Sequence, residues 1–242
     1  MRFLTLSLLL LTLLVGCSSP SPTPAVPTAE PTPTPDPRAI LRQTGEAMES
    51  LTSAQFDITR TGGPVFMDAD GLLRINQATG SYSAPDAVQA TIRLAVPGSN
   101  VEVQTVAMGE TQWITNFLNG QWEQLPPGWG FNPAILFSEA EGWRPLLTEN
   151  LTAVSPLTEE ALNGQNTLVI EATVEGERVS NLTAGVVDIT EPLVLKLWLD
   201  PATYTITQAQ FTTPAQRGDE PAEWLLQFSN DNAAVTVTPP VR

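Results

Sequence analysis

Ten short segments of the chain alternate apolar and polar residues with a period of two, and Gly, Pro, Asn or Asp residues separate them. This pattern, rich in Val, Ile, Thr and aromatic residues, is typical of antiparallel strands that bury one face. Asn119-Gly120 and Asn163-Gly164 lie between such segments and predict tight hairpins. The segments are QFDITR, GLLRIN, AVQATIRLAV, NVEVQTVAM, TQWITNFL, NTLVIEATVE, PLVLKLWLD, YTITQAQFTT, EWLLQFS and AVTVTP.

The alternation assigns side chains to two faces of the predicted sheet. In PLVLKLWLD, four leucines fall on one face, whereas Val194, Lys196 and Trp198 fall on the other. The segment AVQATIRLAV divides in the same way. The sheet therefore has one aliphatic face, which must pair with another sheet, close on itself or curl around helices.

Helices are predicted in two places. Ile40, Leu41, Ala47, Met48 and Leu51 recur at helical spacing after Asp36-Pro37, which predicts one amphipathic helix from about Arg38 to Leu51.

The second place is the apolar segment GWGFNPAILFSEAEGW, Gly128 to Trp143, which interrupts the strands. Asn132 before Pro133 is a good helix start and Gly142 a natural stop, which predicts a short helix from Pro133 to about Glu141. A second short turn or helix is expected from Arg144 to Leu147.

Charge and residue types exclude several classes of function. The net charge is -15, and only 11 residues are Lys or Arg, which argues against nucleic-acid binding. The chain has no histidine, which excludes Ser-His-Asp, Cys-His and His-based zinc chemistry. An enzyme would have to use carboxylates, and the adjacent Glu159 and Glu160 would point to opposite faces of a strand. We therefore expect no catalysis, no cofactor and no metal.

The segment MDADGLL has the Asp-x-Asp-Gly opening of a calcium loop but lacks the further ligands and the closing Glu. We interpret it as a turn between two strands.

The N-terminus has the layout of a secretory signal peptide. Met1-Arg2 is basic, Phe3 to Leu14 is apolar, and Leu14-Val15-Gly16-Cys17 approaches a processing site through small residues. The apolar run is too short to span a bilayer comfortably. The order Leu-Val-Gly-Cys resembles the lipobox of bacterial lipoproteins, which implies cleavage before Cys17, diacylglycerol on its sulfur and usually an acyl chain on the new amino group. Residues 1–16 are then the signal peptide.

A Pro-, Ser- and Thr-rich tract follows Cys17 and ends near Pro37. Such a tract has almost nothing to bury and favours an extended spacer that reaches up to about 60 Å. We therefore predict a lipidated tether over residues 17–37 and one domain over residues 38–242.

The layout as a whole resembles the LppX/LprAFG family of cell-envelope lipoproteins. The resemblance rests on the order of SLTSAQFDI, the mid-chain NPAILFSEAEGWRPLL, the DPAT turn and the FSNDNAAVTVTPP tail, and it covers about Arg38 to Pro240. It implies an α+β fold, a strongly curved antiparallel half-barrel of about 10–11 strands with a few helices on its concave face. The implied shape is that of the LolA and LolB carriers.

The resemblance also implies an apolar cavity that binds acyl lipids or glycolipids. By that analogy Phe131, Ile135, Leu136 and Leu147 are candidate lipid contacts. Strand parity adds further candidates for the cavity wall: Phe56, Ile58, Leu73, Val88, Ile92, Leu94, Val101, Val103, Ile114, Leu168, Ile170, Leu195, Leu197 and Phe228.

The expected function is that of a monomeric lipoprotein, anchored through Cys17 to the outer face of the cell membrane, that carries lipids within the envelope. An envelope transporter is a possible partner. Two alternatives stay open: a structural or interaction lipoprotein that docks an envelope partner, for example through Trp198, and a carboxylate hydrolase.

Overall fold

The computed structural model describes residues 35–68, 70–126, 132–183, 187, 189–216, 218 and 220–240. The predicted signal peptide, Cys17, most of the tether and Phe131 lie outside these described residues. Pro35 to Arg242 belong to one compact unit.

The described residues contain one antiparallel sheet of twelve strands in the order β6-β5-β4-β3-β2-β1-β12-β11-β10-β9-β7, with β8 paired to β9 beside β7. The chain meanders from β1 to β6, and β12 then closes against β1. The strands are β1 Ser53–Gly62, β2 Arg74–Ser83, β3 Ala87–Val96, β4 Ser99–Met108, β5 Thr111–Thr115, β6 Trp122–Gln124, β7 Leu151–Val154, β8 Thr158–Leu162, β9 Gln165–Val174, β10 Leu193–Leu199, β11 Ile206–Thr213 and β12 Ala222–Ser229.

The predicted α+β half-barrel is confirmed: the sheet is open and curved, with helices on its aliphatic face. Both Asn-Gly pairs form hairpin turns, and Asn163 and Gly164 adopt φ angles of 51° and 82°. The count of strands is higher than predicted because β6, β7 and β8 are three to five residues long and leave too little alternation to detect.

The segment AVTVTP, residues 234–239, was predicted as a strand, and that prediction is wrong. It follows β12, whose two edges are already paired with β1 and β11, so no adjacent edge remains for it. Its end lies instead in a groove on the convex face, where Thr238, Pro239 and Pro240 sit beside β2, β3 and β4.

Among the described residues, three α-helices and one 3-10 helix accompany the sheet: α1 Pro37–Glu49, the 3-10 helix Pro133–Phe137, α2 Trp143–Glu149 and α3 Gly176–Leu182. The Asp36 side chain accepts a hydrogen bond from Arg38 N at 3.1 Å, and Pro37 opens α1, as the start signal predicts. The short element expected at Arg144–Leu147 is α2. The helix α3 was not predicted from the sequence. No described helix is long and apolar enough to cross a membrane.

The helix predicted from Pro133 to Glu141 is shorter than expected and ends at Phe137. Ser138 is extended, with ψ at 145°, which stops the helix. Its hydroxyl accepts a hydrogen bond from Glu141 N at 3.0 Å and its carbonyl accepts one from Gly142 N at 2.9 Å. These bonds close a turn that leads directly into α2.

The two ends of the sheet differ. We call one of them the α3 end. It contains α3, which lies between β9 and β10, and the β1–β2, β3–β4, β5–β6 and β11–β12 connections. At the α1 end, α1 passes into β1. There, α1 and α2 fill the concave face: Met48 Sδ accepts a hydrogen bond from Ile206 N, Trp143 packs edge-on against Phe228 with ring centroids 5.9 Å apart, and Arg144 bonds Glu49 at 3.0 Å.

Gly176 sets how closely α3 approaches the chain that returns from it. A Cβ at this position would collide with the carbonyl oxygen of Glu191 and the side chain of Ile189. We expect Gly176→Ala to lower the free energy of unfolding by about 1–3 kcal/mol and Tm by about 3–10 °C in thermal melts. Asn181→Ala, an exposed substitution on the same helix, should leave Tm within about 2 °C; equal losses in both variants would contradict this reading.

Candidate functional site

An apolar cavity lies on the concave face toward the α3 end, between the sheet, the 3-10 helix and α3. Its free volume is about 60 Å³. Thr183 supplies the one polar side chain among the described residues that line it. The lining residues are Ile58, Met67, Ile75, Ala78, Ala90, Ile92, Pro133, Leu136, Leu182, Thr183, Val187, Phe211, Trp224 and Leu226.

Small side chains form the floor of the cavity. Ala78 pairs with Ile58 on one side and with Ile92 on the other, so an alanine sits between two isoleucines on the same face. Ala90, on β3, is a second small side chain on that face and is also buried. Since alternating large and small residues leave a recess where the small ones lie, these alanines explain why the sheet is not filled here.

The 3-10 helix forms one wall and is held mainly at its C-terminal end. Phe137 stacks on Tyr82 with ring centroids 4.0 Å apart and meets the edge of Phe228 at 6.1 Å. Pro133, at the N-terminal end, and Leu136, next to Phe137, face the cavity. This wall is therefore fixed to the α1 end of the sheet by an aromatic cluster, whereas its cavity side contributes only two lining side chains.

The second wall is α3 with the chain that returns toward β10. Ser180 Oγ accepts a hydrogen bond from Ile189 N at 2.6 Å, and Thr183 Oγ1 accepts one from Val187 N at 3.1 Å. These bonds hold Leu182 and Val187 together as part of the wall. The wall thus combines local hydrogen bonds with the burial of Leu182 and Val187 in the core.

One charged side chain lies on the concave side just beyond the lining residues. Arg60 pairs with Trp224 across β1 and β12. Its guanidinium donates to Ile75 O at 2.6 Å, to Asn76 Oδ1 at 2.8 Å and to the carbonyls of Gly62 and Gly63. Burial, and then the charge of Arg74, lowers the pKa of Arg60, yet a guanidinium stays protonated at neutral pH. Arg60 therefore fastens the β1–β2 connection at the rim of the cavity.

Comparison with known proteins places the chain in a family. A model of the LppX_LprAFG lipoproteins matches residues 36–237. The chain belongs to the LppX/LprAFG lipoprotein family. A sequence comparison with curated proteins finds no match.

Solved structures agree with the family assignment in their fold. LprF from Mycobacterium bovis superposes with a TM-score of 0.64 at 15% identity, over 87% of this chain and 100% of that one. The lipoprotein LppX from Mycobacterium tuberculosis gives a TM-score of 0.58 at 19% identity, over 83% of this chain and 97% of that one. At these identities the likeness shows a shared LppX-type half-barrel.

The residues predicted to line the cavity divide into groups, and most of the described ones belong to the concave-face core. Ile58, Ile92 and Leu136 line the cavity. Val101, Ile114 and Leu168 are partly buried against the core, while Leu73 and Ile135 are half-buried outside it. The remaining described ones are fully buried in the core: Phe56, Val88, Leu94, Val103, Leu147, Ile170, Leu195, Leu197 and Phe228.

Several lining residues were not predicted, although the sequence contains a signal for three of them. Trp224 and Leu226 have the same strand parity as Phe228, and Phe211 faces inward on β11 beside Trp224. Parity alone could have found these three. Leu182, Thr183 and Val187 belong to α3 and the chain after it, where no strand or helix was predicted, so no periodicity pointed to them.

The described residues give no geometric support for a metal site or a carboxylate pair. They contain no cluster of three metal-ligating side chains. Asp68 accepts hydrogen bonds from Leu72 N and Leu73 N, which agrees with a turn. Glu160 binds Lys196 at 3.0 Å and Trp198 Nε1 at 3.0 Å, and these bonds lower the pKa of its carboxyl group.

The contacts that Glu160 and Lys196 make with Trp198 also decide whether Trp198 can dock a partner on the outer face. The indole is 6% exposed and lies under Lys196, whose Nζ is 4.6 Å from the ring centroid. Trp198 is therefore buried within the chain and does not present a docking surface.

Proposed function

We propose that this member of the LppX/LprAFG family is a membrane-anchored, non-catalytic lipoprotein that binds an acyl lipid or glycolipid on its concave face and carries it within the cell envelope. The observation that supports this most is the apolar cavity between the 3-10 helix and α3. A carrier needs an apolar recess shielded from water, and the lining here is almost entirely hydrocarbon.

Uptake of an acyl chain requires the cavity to widen. Ligand cavities usually enclose about 300–1,000 Å³, and this one has about 60 Å³. The two walls are short helical elements of five and seven residues. We propose that the acyl chain of a lipid displaces the cavity side of these walls. Burial of the acyl chain contributes about 0.8 kcal/mol per CH₂, which offsets the packing contacts that are lost.

The N-terminal sequence supports the anchored part of the proposal. Residues 1–16 are proposed to be removed as a signal peptide, Cys17 to be lipidated, and residues 17–37 to tether the domain of residues 38–242 to the outer face of the cell membrane. Two or three acyl chains on Cys17 would hold the protein stably, since a single chain binds only marginally. We propose a monomer that exchanges lipid with an envelope transporter.

A second candidate is a structural or interaction lipoprotein whose concave face is simply filled. The small volume of the cavity favours it, because most of the predicted lining residues pack as an ordinary core. This candidate predicts a protein that carries no lipid and binds one envelope partner at fixed stoichiometry.

Native mass spectrometry of the full-length protein, released from detergent micelles, separates the two candidates. We expect a non-covalent adduct of one acyl lipid per chain, which organic solvent removes while the covalent acyl groups on Cys17 remain. A delipidated protein that takes up no acyl lipid from mixed micelles, together with one co-purifying partner protein, would instead support the second candidate.

A further inference from the structure

The large apolar side chains that are exposed in the described chain all lie at one end of the sheet. Leu72 is 50% exposed, Phe117 47%, Leu118 82% and Val194 55%. Leu72 belongs to the β1–β2 connection and Phe117-Leu118 to the β5–β6 turn, whereas Val194 is the second residue of β10. All four positions are at the α3 end, where the cavity lies.

The β5–β6 turn, residues 116–121, presents its two apolar side chains from a closed backbone. Asn116 N donates to Gln121 O at 2.8 Å, and Gly120 N donates to Asn116 O at 2.7 Å. The side chains of Asn116 and Asn119 accept hydrogen bonds from Leu118 N and Gln121 N, both at 2.9 Å. Phe117 and Leu118 are therefore exposed on an ordered turn, whose backbone is held closed by its own hydrogen bonds.

The strand register places this turn level with the cavity rim. Gln104 N donates to Thr115 Oγ1 at 2.8 Å, so the turn begins beyond Gln104 and extends toward Val101. Val101 pairs with Leu94, and Leu94 pairs with Ile75, which lines the cavity. The turn thus lies level with the cavity rim, at the same end of the sheet as the cavity.

The turn and the strand β5 that leads into it carry no charged side chain: from Thr111 to Trp122 the chain contains neither an acidic nor a basic residue, although its net charge is -15. The one carboxylate of the hairpin, Glu123 in β6, accepts a hydrogen bond from Asn116 Nδ2 at 2.9 Å. Trp113 and Trp122 are half-buried behind the turn. Exposed Phe and Leu on a turn without charged residues, ahead of two tryptophans, match the order of side chains that favours the interface of a bilayer.

We propose that the β5–β6 turn docks on a lipid bilayer: Phe117 and Leu118 insert into its interfacial region and hold the α3 end, with the cavity, against the membrane. The inference rests on the proposed function, since a carrier must meet the membrane at the end where its cavity lies. A lipid surface is favoured over a protein because the exposed residues sit on a narrow turn, which can insert between headgroups but offers little area for a protein interface.

The first test uses the full-length protein reconstituted in phosphatidylcholine vesicles with a polarity-sensitive fluorophore on Leu118→Cys or, as a matched control, on Val194→Cys. Cys17 is the only other cysteine. Spin-labelled phospholipid in the vesicles is expected to quench the probe at position 118, whose emission shifts to the blue, and to leave the probe at 194 unquenched. Val194 is the control because it is exposed and apolar but lies on the convex face. No quenching at 118, or equal quenching at both positions, overturns the inference.

The second test measures transfer of a fluorescent phospholipid between vesicles. Loss of two inserted apolar side chains in Phe117→Ser/Leu118→Ser is expected to slow transfer about tenfold, whereas Val194→Ser should change it less than about twofold. An unchanged rate in the double variant counts against docking by the turn. If a lipid adduct is found but position 118 is not quenched, only the docking fails; if position 118 is quenched but no lipid is bound, the carrier function fails.

Discussion

Leu136→Trp is expected to reduce the lipid bound to the purified protein at least tenfold, as measured by solvent extraction and mass spectrometry of the full-length chain. Leu136 is 4% exposed and lines the cavity. A tryptophan there occupies the recess over Ala78 and Ala90 and excludes acyl methylenes. Exclusion of about two CH₂ groups removes some 1.6 kcal/mol, which corresponds to more than a tenfold change in affinity.

Ile135→Trp is the matched control for this experiment. Ile135 lies in the same 3-10 helix, is half-buried and does not line the cavity. The control should keep its lipid. Overpacking by Leu136→Trp lowers the free energy of unfolding by about 1–3 kcal/mol, so a thermal melt must first show that both variants are folded.

Leu136→Ala changes the same site in the opposite direction. It widens the cavity, costs the lipid-free protein about 2–5 kcal/mol and should allow equal or greater lipid uptake, with Tm partly restored by bound lipid. If the two tryptophan variants lose lipid equally, or if Leu136→Ala loses it as well, the cavity is not the lipid site.

Cys17→Ser is expected to abolish covalent lipidation and to release the protein from membranes after processing or leave it unprocessed. In the proposed modification the thiol accepts the diacylglycerol, and a serine hydroxyl does not replace it. Metabolic labelling with radioactive palmitate, followed by fractionation, should show complete loss of label from the variant. Because Cys17 is the only cysteine, any label that remains would refute the assignment.

Ser18→Ala controls for the change at Cys17, since it alters the neighbouring residue and leaves the thiol in place. It should be labelled and membrane-bound like the natural sequence. We expect the folded domain not to depend on the anchor, so the Cys17→Ser protein should melt at the Tm of the anchored one, within about 2 °C. A lower Tm would mean that the N-terminal segment stabilises the domain.

The two ends of the concave face differ in how they are covered, and this difference bears on how a carrier of this kind would take up lipid. The α1 end of the concave face is filled by α1, α2 and an aromatic cluster around Phe137, Tyr82 and Phe228. Among the described residues, the 3-10 helix and α3 cover the α3 end. Lipid uptake that begins at the α3 end would displace these short elements and leave the packing at the α1 end in place. A membrane contact at the same end, through Phe117 and Leu118, would allow an acyl chain to pass from bilayer to cavity without crossing water.

The alternation of apolar residues was enough to predict the sheet and its inner face, because a strand places every second side chain on the same side whatever its partners are. Leu193, Leu195, Leu197 and Leu199 are all buried, as that period requires. The start of α1 was predictable for a similar reason, since Asp36 and Pro37 act within one turn of the helix. Family resemblance supplied what alternation could not, namely that this sheet curls around helices.

Local patterns failed where pairing between distant segments decides the structure. AVTVTP has a strand-like sequence, but its neighbour β12 has both edges occupied, and this depends on β1 closing against β12 across some 170 residues of chain. Trp198 was assigned correctly to the outer face, yet it is buried because β8 brings Glu160 to it. No local period carries this information.

The sequence by itself determined the aliphatic face, the hairpins and the composition that argues against nucleic-acid binding and histidine chemistry, because each follows from residue types and near neighbours. Only the tertiary structure decided which inward residues line a cavity and which fill the core. Leu136 and Leu195 look alike in the sequence, and both are buried. One lines the recess above Ala78 and the other packs in the filled core. The difference arises from which helix crosses which strand, and packing of that kind is set by contacts between residues far apart in the chain.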